Sequence, residues 1–307
     1  MRGLKSMRLV AIGVVAALFA SACGGGGGTE TPEGGGELKA YLGEPEHLIP
    51  GNTNETQGGT VLRNLYSGLI KYDADGKPTN EIAESIESDD QTVWTIKLKK
   101  GYKFHNDEPV NADSFINAWN FVAYGPNANG NSYFMDRIEG YEDLQAAKEG
   151  EEPKAKEMTG LSKVDDYTFE VTLKEPFQAF NMMVGYTAFY PMAKECLDDV
   201  KACEESPIGN GPFKMDGKWE HDKIIKTVRN DDYAGTKAKL DKLTFNIFKD
   251  EDSGWAALQS GEVDVMTTIP AANVGEARTS YGDRLIEEPN STFTYLGFPT
   301  YDKKFEN

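Results

Sequence analysis

Fifty acidic residues, three histidines and three cysteines are the groups in this 307-residue chain whose types could do chemistry. A hydrolase needs a nucleophile with a base in reach. No Gly-x-Ser-x-Gly elbow occurs, and His47, His105 and His221 are scattered without a marked partner. Carboxylate pairs such as Asp165-Asp166 and Asp231-Asp232 have the residue types of a glycosidase, but both lie in turn-like polar segments. With so many acids, chance pairs are expected, so an enzyme is not. Asp73 and Asp75 invite a calcium-loop reading. The glycine, Gly76, stands fourth instead of sixth and no Glu follows at the twelfth position, so a plain turn is expected. No cofactor and no metal site is expected.

Cys23 has a context of its own. Arg2, Lys5 and Arg8 precede an apolar run over 9–20, which is short for a spanning helix and suits an export signal. Ala20-Ser21-Ala22-Cys23 closes it and resembles the bacterial lipobox, with Ala20 where that pattern prefers Leu. The resemblance implies a diacylglyceryl group on the Cys23 sulfur, cleavage of residues 1–22, and a chain held by lipid at the outer face of a membrane. Residues 24–36 are rich in glycine and cannot bury apolar surface, which fits a flexible tether. They are no phosphate loop, lacking a preceding strand, a closing Lys-Ser/Thr and a following helix.

The formal charge is −18, and losing the three basic residues of 1–22 takes it to −21. Such a chain is a poor partner for nucleic acid, whose binding rests on Lys and Arg neutralising phosphates. In an exported chain the remaining pair, Cys196 and Cys203, reads as a disulfide worth about 2–3 kcal/mol. The rival metal pair lacks a nearby histidine, and zinc needs more ligands.

The elements that must position any site follow from periodicity. Residues 37–42 alternate as a strand, and 59–71 place Val61, Leu62, Leu65, Tyr66 and Leu69 at helical spacing. Gly76 supplies a positive φ in the turn 72–78. Residues 91–99 alternate around Trp94, Ile96 and Leu98, and Asn111 caps a helix carrying Phe115, Ile116, Trp119 and Val122. A charged surface helix is expected over 146–157. Strands follow at 168–173, 223–228, 242–249, 263–266 and 292–298, with a helix over 252–261. Gly209-Asn210-Gly211-Pro212 reads as a tight turn needing positive φ. The mixed order implies an α/β fold with mixed sheets.

Four segments, in order, resemble the extracytoplasmic solute-binding proteins of the peptide/nickel type, which serve ATP-driven (ABC) importers. They are 64–77 with 82–85; Trp94 to Phe115, with Lys-Lys-Gly, Phe-His-Asn-Asp-Glu-Pro-Val and Ala-Asp-Ser; Pro207-Ile-Gly-Asn-Gly-Pro-Phe213; and 257–264 with Ile269-Pro270. Asn106-Asp107 stands where the family has Asp-Gly. The match runs from about Glu37 to the last residue. It implies a periplasmic-binding-protein type II-like fold with the site in a cleft between two lobes, a peptide or similar small solute as ligand, permease subunits as partners, a monomer, and a location on the outer face of the cytoplasmic membrane.

The resemblance also implies a division into a first ligand lobe, 37–57 plus 183–307, and an inserted α/β domain, 58–182. Because the family continues into a second lobe, the chain reads as C-terminally truncated, with one cleft wall missing and weak binding expected. Cleft candidates are Glu44, Pro45, Glu46 and His47, with Asn210, Trp255, Thr268, Tyr295 and Gly297. Trp94, Trp119 and most of the diagnostic residues read as packing. Alternatives are a nickel- or metallophore-binding member, an exported hydrolase, and a surface adhesion or sensor lipoprotein.

Overall fold

Alternating burial builds two separate sheets. In a computed structural model, which describes residues 35–73, 75–146, 151–288 and 295–305, β1 (Glu37–Leu42) pairs in parallel with β10 (Lys242–Ile247), setting Tyr41 opposite Asn246. β9 (Ile224–Arg229) and β8 (Phe213–Met215) extend that sheet antiparallel, in the order β1-β10-β9-β8. Residues 1–34, which hold Cys23, the expected export signal and most of the expected tether, lie outside the described residues.

The second sheet is antiparallel: β4 (Ala83–Glu87), β5 (Val93–Leu98), β7 (Thr168–Thr172) and β6 (Leu161–Asp165), in that order. Trp94, Ile96 and Leu98 of β5 point into the core, as their alternation predicts. Over them lies α2 (Ala112–Ala123). Its Asn111 cap accepts from Ser114 N at 3.2 Å while Ser114 Oγ accepts from Asn111 N at 3.1 Å, a reciprocal capping box. Trp119 is fully buried against Phe169 and Phe189 and donates its indole N–H to Phe189 O at 3.0 Å. A hairpin of β2 (Ile70–Tyr72) and β3 (Pro78–Asn80) turns at Gly76, φ 74°. Asp73 Oδ1 accepts from Asp75 N and Lys77 N there, so it serves the turn.

The core under the second sheet extends through α3 (Phe180–Met183), α4 (Lys194–Asp198) and α5 (Val200–Glu205), taking in Phe180, Phe189, Met192, Cys196 and Cys203. Val184, Ala188, Phe189, Met192 and Ala193 pack in that core too, whereas Tyr190 packs with the first sheet. Cys196 and Cys203 are joined as a disulfide, their Cα atoms 5.1 Å apart, tying α4 to α5. Further on come α6 (Glu251–Ser260), capped by Asp250 and ended by Gly261 at φ 79°, and α7 (Val274–Tyr281).

Several expectations are corrected. The helix expected over 59–71 is α1 (Thr56–Leu65), and it stops at Leu65. Tertiary contacts end it: Ser67 gives both backbone groups to Asn210, and a Cβ on Gly68 would meet the Tyr190 ring at 2.7 Å. Residues 151–157 are not helical, and 147–150 lie outside the described residues. Pro153 interrupts that run, and Ala155 N donates back to Asp143 O at 2.9 Å. The strand expected at 263–266 reduces to one parallel bridge, Ala40 to Val265. Of the strand expected at 292–298, residues 295–298 carry none and the rest lie outside.

Candidate ligand-binding face

Three of the sequence segments singled out above meet at one point. Asn210 is fully buried; its Oδ1 accepts from Ser67 N at 3.0 Å and its Nδ2 donates to Ser67 O at 3.1 Å. Its neighbours Gly209 and Gly211 do not have positive φ, contrary to expectation. They are small because α1 ends against them: a Cβ on Gly209 would lie 1.9 Å from Leu65 O, and one on Gly211 2.7 Å from Leu65 C. His105 completes the junction. Its N–H donates to Gly209 O at 2.8 Å, and its Nε2 lies 3.3 Å from Gly211 O. Burial pushes the His105 pKa down to about 4; the Gly211 carbonyl opposes the shift and Lys214 adds to it. Asn210 is therefore a strut of the framework, with its amide already engaged.

The loop after β1 is held by α5. Glu44 faces His221, Oε1 to Nδ1 at 3.0 Å, and accepts from Asp222 N at 3.0 Å. His221 also meets Glu205 at 3.2 Å, and His47 Nδ1 lies 2.6 Å from Glu204 Oε1. Burial works against the charged form of His221, but Glu44 and Glu205 outweigh it and raise its pKa. Pro45 is buried and Glu46 exposed, its N–H reaching Glu55 Oε1 at 3.3 Å. The two consecutive glutamates after Cys203 thus receive histidines from two different loops.

A second group lies elsewhere. Trp255 is 4% exposed, packs edge-on against Tyr281 at 5.7 Å, and has a covered indole N–H without a partner among the described residues. It lines a cavity of about 620 Å³ with Val263, Met266, Ile269, Tyr281 and Arg284. Thr268 is exposed beside this cavity, outside its lining, and Tyr295 and Gly297 are exposed further on. The predicted candidates are therefore distributed over a junction, a loop, a cavity and exposed positions outside all three.

Sequence reasoning missed an aromatic face. Tyr133 stacks on Phe134 and Phe134 on Tyr186, each at 4.5 Å, with Tyr133 59% exposed. Burial raises the Tyr186 pKa, with Tyr133 adding to it and the Thr187 side chain and Arg63 opposing. Glu55 caps α1, both carboxylate oxygens accepting from Gly58 N at 2.8 Å. The only hint in the sequence is the aromatic richness of 177–190. Among the described residues there is no cluster of His, Cys, Asp and Glu able to hold a metal ion. The acidic pairs weighed as catalytic include Asp166, bound to Lys163 at 2.8 Å, and Asp231, bound to Arg229 at 2.7 Å.

A sequence profile described as bacterial extracellular solute-binding proteins, family 5 Middle, matches residues 77–307. The chain belongs to this family. Like this family 5 chain, the oligopeptide-binding protein OppA of Bacillus subtilis (strain 168) carries the shared sequence, 29% identical over 273 residues, 85% of this chain and 49% of the relative. The dipeptide-binding protein DppE of the same strain is 30% identical over 239 residues, 75% of this chain and 40% of the relative. Among solved structures, OppA of Burkholderia pseudomallei superposes with a TM-score of 0.72 at 23% identity, over 80% of this chain and 49% of the other; that likeness concerns the fold alone. A Listeria monocytogenes OppA bound to peptide has a TM-score of 0.65 at 27% identity, over 74% and 45%. The chain spans about half the length of the curated relatives it matches. The α/β fold with mixed sheets is that of the family's solved members.

Proposed function

We propose that this chain is the solute-capturing component of an ABC importer, taking oligopeptides or dipeptides outside the cytoplasm and passing them to permease subunits. The observation that carries this reading is family membership, with relatives named for oligopeptides and dipeptides at 29% and 30% identity. An extended peptide offers backbone N–H and C=O groups at every residue, and a binding protein meets them with polar rims and aromatic walls. The Tyr133–Phe134–Tyr186 stack supplies such a wall. In this reading the Glu44–His47 loop is a polar rim, and Trp255, Thr268, Tyr295 and Gly297 belong to a second contact region. Asn210 acts through Ser67.

Lipid on Cys23 anchors the chain at the outer face of the cytoplasmic membrane. Among the described residues no helix is long and apolar enough to cross a membrane. Radiolabelled palmitate incorporated by the wild type and lost in Cys23→Ala supports the anchor; equal labelling contradicts it. Mass spectrometry of small molecules released on denaturing the purified protein tests the ligand class. Peptides are expected, and nickel or a metallophore in their place contradicts the reading.

A further inference from the structure

A groove of about 370 Å³ runs beside the C-terminal end of α1, between β2 and the loops carrying Tyr190 and Tyr233. The peptide reading does not use it. Its charge is opposite to that of the protein: Arg63 and Lys71 line it against one carboxylate, Glu81, in a chain of net charge −18. Glu81 is already engaged. It is 6% exposed, pairs with Lys71, and accepts from Tyr233 OH at 2.7 Å. Burial alone would raise its pKa, but hydrogen bonds from Lys71 and Tyr233 outweigh that and lower it, so it stays ionised.

Arg63 has no such partner. It donates to Thr60 Oγ1 at 3.3 Å and has no carboxylate within ion-pairing distance among the described residues. Arg63 is exposed at the rim of the groove, so its guanidinium is open to a ligand, and its planar fork matches a carboxylate. Tyr190 is the second, independent sign. It is 7% exposed, lines the groove, and its hydroxyl has no hydrogen-bond partner among the described residues. That hydroxyl is not fully covered; the fully covered hydroxyl without a partner among the described residues is Tyr66 OH, which lines the same groove, and buried hydroxyls ordinarily have one. Burial pushes the Tyr190 pKa up to about 12, Arg63 pulling the other way, so at neutral pH the hydroxyl keeps its proton and is a donor beside the guanidinium. Tyr66 stacks on Tyr190 at 6.2 Å and walls the site with aromatic surface, which strengthens a charged contact relative to water.

We propose that this groove is a carboxylate-binding site, with Arg63 as the ion-pairing group and Tyr190 OH as a second donor. The carboxylate belongs either to a free small acid or to the acidic side chain of a peptide. Isothermal titration separates the two, using glutarate against neutral glutaramide, and Gly-Glu-Gly amide against Gly-Gln-Gly amide. Arg63→Gln is expected to weaken the acidic ligand about tenfold or more, and Tyr190→Phe several-fold. Both variants should keep the wild-type thermal midpoint, since neither group has a charged protein partner to lose. Arg63-dependent glutarate binding assigns the groove to free acids. Arg63-dependent preference for Gly-Glu-Gly amide without glutarate binding assigns it to peptide side chains. Acidic and neutral probes binding alike, no binding of either acid, or an unchanged affinity in Arg63→Gln overturns the proposal. Binding of Gly-Gln-Gly amide reports separately on the peptide reading.

Discussion

Asn210 holds both backbone groups of Ser67, 143 residues earlier in the chain, through one side-chain amide. The pair welds the end of α1 to the loop entering β8, and Ser67 Oγ adds a 2.7 Å bond to Tyr233 OH. Asn210→Ala leaves a buried N–H and a buried C=O unpaired, at about 1–3 kcal/mol each. The variant should lose about 2–4 kcal/mol in urea unfolding. Ser67→Ala keeps the Asn210 contacts and should lose only about 1 kcal/mol. Equal losses would contradict the strut assignment.

The two glycines beside Asn210 are required by space. Gly209→Ala drives a methyl group into Leu65 O and should cost about 3 kcal/mol or prevent folding. Gly275→Ala, in α7 with nothing within 4 Å of a new Cβ, should be neutral or stabilising by about 0.5–1 kcal/mol. Chemical denaturation of both variants checks the contrast.

These residues mark what was legible in the sequence. Strands with one buried face declared themselves: β5 through Trp94, Ile96 and Leu98, and β1, β9 and β10 within a residue or two. The Asn111 cap was equally local. The end of α1 was not, because Leu69 continues the helical spacing and only the distant Asn210 and Tyr190 stop the helix. Gly209 and Gly211 were recognised as necessary, but for φ instead of close approach. The aromatic face needs Tyr133 and Tyr186, 53 positions apart, both to stack on Phe134, which no local spacing announces.

His105 makes acid unfavourable. Its pKa is about 4 when folded and about 6.5 when unfolded, so between those values the unfolded chain takes a proton that the folded chain refuses. Stability falls as pH drops from about 6.5 to 4, by up to about 3 kcal/mol from this group. His105→Gln removes that component, so its stability should decline less than that of the wild type between pH 7.5 and 4.5. Parallel declines in urea midpoints would contradict the assignment.

His221 runs the other way. Its pKa is raised, so its ion pairs with Glu44 and Glu205 are complete below the unfolded value and are lost as pH rises through the folded one. Half-exposed pairs stabilise little, so the proper readout is an NMR titration of the imidazole. Its midpoint should lie above 6.5 and fall in Glu44→Gln.

Reducing the Cys196–Cys203 bridge should cost about 2–3 kcal/mol through the freed loop. It should also loosen α5, moving the His221 titration toward the ordinary imidazole value, because Glu205 lies two residues after Cys203. An unchanged His221 titration in dithiothreitol would contradict that coupling.

The central claim is peptide capture, and the most direct measurement is isothermal titration of the purified chain with tri- to pentapeptides, nickel chloride and a sugar mixture. The account predicts saturable heat with peptides alone, at a Kd above about 1 μM because Tyr133 and its neighbours form an open face burying little of a ligand. Tyr186→Ala should weaken that binding. Saturable binding of nickel with no response to peptides would contradict the account.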